Sequence, residues 1–239
     1  GSMWIVRHGE RSDVADGEWW FTADRPHDPP LTTNGHKQAR AAGLAIAHER
    51  IEAIYSSPFR RCVQTACEMA AAIGGGLKVR IEPGLCEMLH HEWFDFPEPN
   101  VRDGMPVDTG MSTKELVRIF GGAKIDASYI PLFDAIERLD DSGHSDTLRP
   151  NQTLVSFPEH WHEGVGRYQQ CLSRLQHAAP FSVLVTHGAG VQSCGESVAG
   201  VDMEEMDIGY CCLTNLTRQG AYGWTAASLA SHKHTDGLE

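Results

Sequence analysis

Two short apolar runs in this chain each end on His-Gly. Trp4-Ile5-Val6 leads into Arg7-His8-Gly9, and Phe181-Ser182-Val183-Leu184-Val185-Thr186 leads into His187-Gly188-Ala189-Gly190. Their β-branched and aromatic content predicts buried strands. A strand that stops on His-Gly presents an ionisable ring at its C-terminal end, where open α/β sheets gather ligand and catalytic groups. Gly9 lets backbone approach a bound group closely, and Arg7 and Arg11 set permanent charge beside His8 in a planar fork suited to phosphate. A third apolar segment, Ile54-Tyr55, runs into Ser56-Ser57-Pro58-Phe59-Arg60-Arg61. Pro58 stands where the first turn of a helix tolerates it, so Arg61 is expected near a helix N-terminus, itself an anion site. Any one of these elements is a weak motif. Together they point to a phosphate pocket.

The stretches between them alternate in type. Thr32 or Thr33 is expected to cap a helix reaching about Glu49, with Ala39, Ala42, Leu44 and Ile46 on its inner side. Ile51 to Tyr55 reads as a strand, Pro58 to Ile73 as a helix stopped by Gly74-Gly75-Gly76, and Leu77 to Ile81 as a third strand. Such βαβ units imply a parallel sheet. Arg11 to Pro30, with Trp19-Trp20-Phe21, reads as a loop covering the site. From 86 to 151 the pattern breaks into prolines, glycines and acidic residues, with a helix-like island from Pro131 to Leu139, and is expected to be an insertion over the C-terminal edge of the sheet. A helix from Pro158 to about His177 precedes the Ser182 strand, and another begins near Val191. Cys211 to Thr217 and Trp224 to Ser228 read as a closing hairpin. The whole is expected to form one domain, 3–239, with Gly1-Ser2 set aside as an expression scar.

At 239 residues with 41% hydrophobic content, the chain can bury one large core. Twenty basic against thirty-two acidic residues leave a net charge of −12, which argues against a nucleic-acid or anionic-membrane surface and confines positive charge to a local pocket. Seven scattered cysteines without Cys-x-x-Cys point to a reducing, cytoplasmic setting. Adjacent Cys211 and Cys212 are expected to pack on opposite faces of a strand. No apolar stretch approaches the roughly twenty residues of a membrane span. His90-His91 and His160-x-His162 have metal-like spacing but no accompanying cysteine or carboxylate set, so neither a metal nor a cofactor is expected.

The chain resembles the histidine phosphatase, or phosphoglycerate-mutase-like, superfamily. The resemblance rests on Arg7-His8-Gly9, Pro30-Leu31-Thr32 with Gly35 and Gln38-Ala39, Ser57-Pro58 with Arg61 and Gln64-Thr65-Ala66, Glu82-Pro83 with Leu85 and Glu87, and Thr186-His187-Gly188. The run from Arg61 to Ala66, the segment Arg80 to Glu87, and Arg11 three residues after His8 are most similar to the phosphatase domain of the suppressor of T-cell-receptor signalling (TULA-type) proteins. The resemblance implies a three-layer α/β/α fold with a mostly parallel sheet and a metal-independent phosphatase.

In that family pattern His8 is the nucleophile, attacking as a neutral ring whose tautomer a nearby backbone carbonyl would fix. Arg7, Arg61 and His187 surround the phosphoryl oxygens, His187 protonated and Gly188 offering its amide, and Arg11 adds a fourth donor. Glu87 takes the place of the general acid, with Glu10, Asp13 and Glu92 as competitors. The substrate would be a phosphorylated small molecule or phosphoprotein, and the protein a homodimer. Trp19-Trp20-Phe21 and Trp93-Phe94-Asp95-Phe96 either wall a pocket for an aryl or tyrosyl phosphate or pack loops onto the core. A mutase and a catalytically silent phospho-ligand-binding domain are the alternatives. Met88 to Phe94 departs from the mutase-like continuation, and the intact set of site residues argues against silence.

Overall fold

The computed structural model of the chain describes residues 1–94, 101–102, 105–106, 110–134, 153–155, 158–218, 220 and 223–238. In chain order the elements are β1 (Ser2–Arg7), α1 (Ser12–Ala15), α2 (Trp19–Thr22), α3 (Thr33–Ala45), β2 (Ala53–Ser56), α4 (Arg60–Ile73), β3 (Val79–Ile81), α5 (His91–Phe94), β4 (Val101–Arg102), β5 (Met105–Pro106), α6 (Thr113–Phe120), β6 (Phe133–Asp134), β7 (Thr153–Leu154), α7 (Trp161–Ala178), β8 (Phe181–Thr186), α8 (Gly188–Ala199), β9 (Leu213–Arg218) and β10 (Trp224–Ser231). Six strands form one sheet in the order β10-β9-β1-β8-β2-β3. Four are mutually parallel, and β9 and β10 close the other edge as an antiparallel hairpin.

Alternation along the strands divides the core into two layers. Met3, Ile5, Tyr55 and Leu184 face Tyr168, Leu172, Val191 and Cys194 of α7 and α8. Val6, Ile54, Val183 and Val185 face Ala39, Ala42, Val63, Ala66 and Met69 of α3 and α4. The result is the expected α/β/α sandwich. Its four parallel strands all end on one side, and that side carries His8, Ser57, His187 and the turn leading to Glu87.

Several boundaries differ from the sequence reading. Gly1-Ser2 is not outside the fold: Ser2 opens β1 and pairs with Phe181 and Thr217. The loop from Arg11 to Pro30 contains two single-turn helices. Pro58 precedes α4 rather than entering its first turn, since Phe59 is the N-cap. Buried Asp28 accepts from the Arg60 amide at 2.6 Å, so a carboxylate already occupies that helix end. α8 begins at Gly188 with His187 as its N-cap, three residues before Val191.

Phe133–Asp134, expected to start a helix, pairs in parallel with Thr153–Leu154; 135–139 lie outside the described residues. Within 86–151, Ser112 and Glu115 cap α6 reciprocally, and Ile125 bridges to Val79 at the β3 edge of the sheet. Cys211 lies before β9 with a positive φ of 56°. It packs on the α3/α4 side and Cys212 on the α7/α8 side, so the two do occupy opposite faces. All seven cysteines are free.

Candidate active site

The motif residues outside the site proper hold its backbone. A Cβ at Gly9 would stand 2.6 Å from the Gly35 carbonyl, and one at Gly35 would strike the Glu10 carbonyl. The loop after β1 and the start of α3 therefore touch backbone to backbone. Thr32 caps α3 by accepting from the Gly35 amide at 2.9 Å. Gln38 accepts from the Glu10 amide, Gln64 from the Leu31 amide, and Thr65 from the Gly9 amide at 3.0 Å. Together these bonds tie the His8 loop to two helices.

His8 is buried, and its Nδ1 lies 2.8 Å from the Gly9 carbonyl. That carbonyl can only accept, so Nδ1 carries the proton and Nε2 keeps its lone pair. Burial first, and then its cationic neighbours led by Arg61, hold the His8 pKa well below 6.5. The ring is thus neutral with one nitrogen available as a nucleophile.

Arg61 and Arg7 act on it directly, and Arg11 acts on its neighbour His187. Arg7 donates to the Ile208 carbonyl at 2.6 Å, Arg11 to Asp13 at 2.9 Å, and Arg61 to the His27 carbonyl at 3.2 Å. Each also has a buried Nε–H with no partner among the described residues. Leaving a buried donor unpaired costs about 1–3 kcal/mol, so donors left open near the two histidines suit an acceptor that brings its own oxygens; Arg60 Nε is unpartnered as well among the described residues. Gly188 lies beside this group: a Cβ there would stand 3.8 Å from Arg7 Nε, an ordinary van der Waals contact.

His187 is fully buried, with its ring centroid 5.3 Å from that of His8. Its Nε2 lies 2.8 Å from Ser57 Oγ, and its Nδ1 lies 3.1 Å from Glu87 Oε2 and 3.2 Å from Arg61 Nη2. Arg61 Nη2 also approaches Glu87 Oε2 at 3.3 Å. Burial raises the Glu87 carboxyl, but His187 and Arg61 outweigh it and bring the group to about 2. Burial lowers His187, and despite the pull of Glu87 it stays at about 4. The pair is therefore an ionised carboxylate and a neutral imidazole. A lone pair on Nδ1 would repel the carboxylate, so the proton sits there, Ser57 donates to Nε2, and Arg61 Nη2 donates to Glu87 rather than to the ring. His187 was expected to be protonated; burial and Arg61 pull the ring the other way, against the pull of Glu87.

Of the four candidate acids, Glu87 alone touches His187 and Arg61. Glu10 accepts from Thr32 and Asn34 at the start of α3, Asp13 binds Arg11, and Glu92 is exposed beside His90. Of the aromatic residues, Phe94 is buried against His27 and Phe59 while Phe21 is exposed. Phe94 is core packing; Asp95 and Phe96 lie outside the described residues.

Tyr210 escaped the sequence reading. Its ring lies 4.6 Å beneath the Arg7 guanidinium and 5.8 Å from His8, at the edge of the site. No motif surrounds it. His160 and His162 stack with centroids 5.9 Å apart, and among the described residues no group of three or more His, Cys, Asp or Glu is disposed to hold a metal ion.

Residues 3–147 match the histidine phosphatase superfamily (branch 1). Ubiquitin-associated and SH3 domain-containing protein A of Homo sapiens is 27% identical over 235 residues, covering 85% of this chain and 32% of that protein. The ecdysteroid-phosphate phosphatase of Drosophila melanogaster is 24% identical over 266 residues, covering 99% of this chain and 31% of that protein. The chain thus spans about a third of the length of these relatives. Among solved structures, the ecdysone phosphate phosphatase of Bombyx mori, in complex with tungstate, matches with a TM-score of 0.62 at 20% identity, covering 97% of this chain and 93% of that one. At that identity the likeness is one of fold.

Proposed function

The chain belongs to the histidine phosphatase superfamily (branch 1), and from that premise we propose that it is a phosphomonoesterase working through a phosphohistidine on His8. The observation that carries this reading is the trio of unpartnered, buried Nε–H groups of Arg7, Arg11 and Arg61 beside a neutral histidine. A phosphoryl group in flight spreads charge over three equatorial oxygens, and donors already fixed there stabilise it without rearrangement. His8 Nε2 attacks phosphorus, the ester oxygen departs, and water later hydrolyses the phosphohistidine. Positive charge comes from the guanidinium groups, so the reaction is proposed to need neither metal nor cofactor.

Glu87 is the proton donor in this scheme. Between His187 Nδ1–H and Arg61 it is ionised. An arriving phosphate competes for those same donors and adds its own negative charge. Both effects raise the affinity of Glu87 for a proton, which it then delivers to the leaving oxygen. Substrate binding itself charges the acid.

The substrates are proposed to be aryl or tyrosyl phosphates. Tyr210, an aromatic wall beside the nucleophile, supports this choice. Ester-linked small molecules remain within reach of the same chemistry. The protein is further proposed to act as a homodimer in the cytoplasm, without nucleic-acid or membrane partners; no helix among the described residues is long and apolar enough to cross a membrane.

The test is metal-free turnover of p-nitrophenyl phosphate, a phosphotyrosine peptide, a phosphoserine peptide and 3-phosphoglycerate, with His8→Ala as control. Preference for the aryl esters, lost in the variant, is the expected result. Isomerisation of 3-phosphoglycerate would make the protein a mutase, and silence on every substrate a binding domain.

A further inference from the structure

The segment that carries Glu87 leaves β3 through a tight turn, Pro83–Leu85, and belongs to no sheet. Its carbonyls need partners from elsewhere, and α7 supplies most of them. Arg167, 6% exposed, donates to the carbonyls of Gly84 at 2.9 Å, Cys86 at 3.1 Å and Glu87 at 3.2 Å. Tyr168 Oη donates to Cys86 at 2.6 Å, and Thr186 Oγ1 donates to the remaining carbonyl, that of Leu85, at 2.8 Å.

The guanidinium is itself fixed. Its Nε and Nη2 pair with the two oxygens of buried Glu159 at 2.7 and 2.8 Å. Glu159 in turn accepts from the Leu89 amide at 3.0 Å and donates its own amide to the Leu89 carbonyl at 2.9 Å. Only arginine can serve three carbonyls and a carboxylate at once, because its five N–H groups lie in one rigid plane. The backbone of Glu87 is thus clamped on one side while its carboxylate meets His187 and Arg61 on the other.

We propose that Arg167, oriented by Glu159, is a positioning residue for the proton donor, setting where the Glu87 carboxyl stands against the phosphate donors. This rests on the reading of Glu87 as general acid. A displacement of about 1 Å far from the reacting bond can cost about 10²-fold in rate, so the clamp acts on the chemistry that needs the acid and spares the chemistry that does not.

Arg167→Lys and Glu159→Gln are compared with wild type, each also combined with Glu87→Gln, after circular dichroism shows which variants fold. The readout is kcat on p-nitrophenyl phosphate, whose leaving group needs little protonation, and on an alkyl phosphate. Arg167→Lys is expected to lose about 10²-fold on the alkyl ester and only a few-fold on the aryl one, and to lose almost nothing further on either once Glu87 is Gln. Glu159→Gln should repeat the pattern more weakly and decides the matter if Arg167→Lys does not fold. Equal losses on both esters, or the same loss in the Glu87→Gln background, would reduce Arg167 to a structural role and overturn the proposal. If Glu87→Gln alone leaves the ester ratio unchanged, the general-acid reading fails first and the clamp falls with it.

Discussion

Two histidines with ring centroids 5.3 Å apart are set to different work by what their nitrogens touch. His8 gives its one proton to a backbone carbonyl and keeps Nε2 free, whereas His187 has both nitrogens engaged, by Ser57 and Glu87. Followed by NMR, the His8 ring is expected to titrate well below 6.5; an ordinary midpoint would mean that burial and Arg61 do not hold it neutral. Arg61→Lys should cost about 3 kcal/mol in kcat/KM, the loss of one preorganised donor, because an ammonium cannot hold the His27 carbonyl, Glu87 and an oxyanion together. A rate near wild type would remove Arg61 from the site. Arg7, His8, Arg61, Glu87 and His187 were legible in the sequence because each sits in a short run with a recognisable pattern. Tyr210 and Arg167 were not: they meet Arg7 and the Glu87 backbone only through the folded sheet and α7, and no local spacing announces them.

At the level of elements, the site depends on how closely the His8 loop lies against α3. Gly35→Ala would drive a methyl group into the Glu10 carbonyl, and relief means moving either the helix start or the loop that carries His8. Overpacking of this kind costs about 1–3 kcal/mol, so urea unfolding should show a loss in that range together with lower kcat; wild-type values of both would show that the two segments separate freely. Most elements could be read from the sequence, since Thr32, Gly74 and the apolar strand runs carry strong local signals. The misreadings have physical causes. Pro58 looked like a first-turn residue, but the helix starts after Phe59, and Asp28, distant in sequence, accepts from the first free amide, that of Arg60. α6 was hidden among prolines and glycines, although Ser112-x-x-Glu115 is a capping-box spacing. Phe133–Asp134 forms its strand by pairing across a long separation with Thr153–Leu154, which no helical or strand period in the sequence reveals.

For the molecule as a whole, a net charge of −12 coexists with a pocket where buried Arg61 and half-buried Arg7 and Arg11 gather, and the buried histidine beside Arg61 has a consequence for stability. Burial, and then Arg61, lowers the pKa of His27 from 6.5 to about 4. The unfolded chain therefore binds a proton there between pH 6.5 and 4 that the folded chain does not, and stability falls as pH drops through that window. Relative to a His27→Asn variant, wild type should lose stability across this range, measured by urea unfolding at several pH values; parallel curves would show that His27 is protonated in the fold. The parallel α/β architecture followed from the alternation of runs, and the three-layer sandwich from the resemblance to the family.

The central claim, that His8 carries the phosphoryl group, is tested most directly by mixing enzyme with p-nitrophenyl phosphate, quenching without acid and locating the phosphoryl group by peptide mass spectrometry. The expected result is one phosphoryl group on the peptide containing His8, absent from His8→Ala. Turnover with no phosphorylated His8, or with the phosphoryl group on another residue, would contradict it.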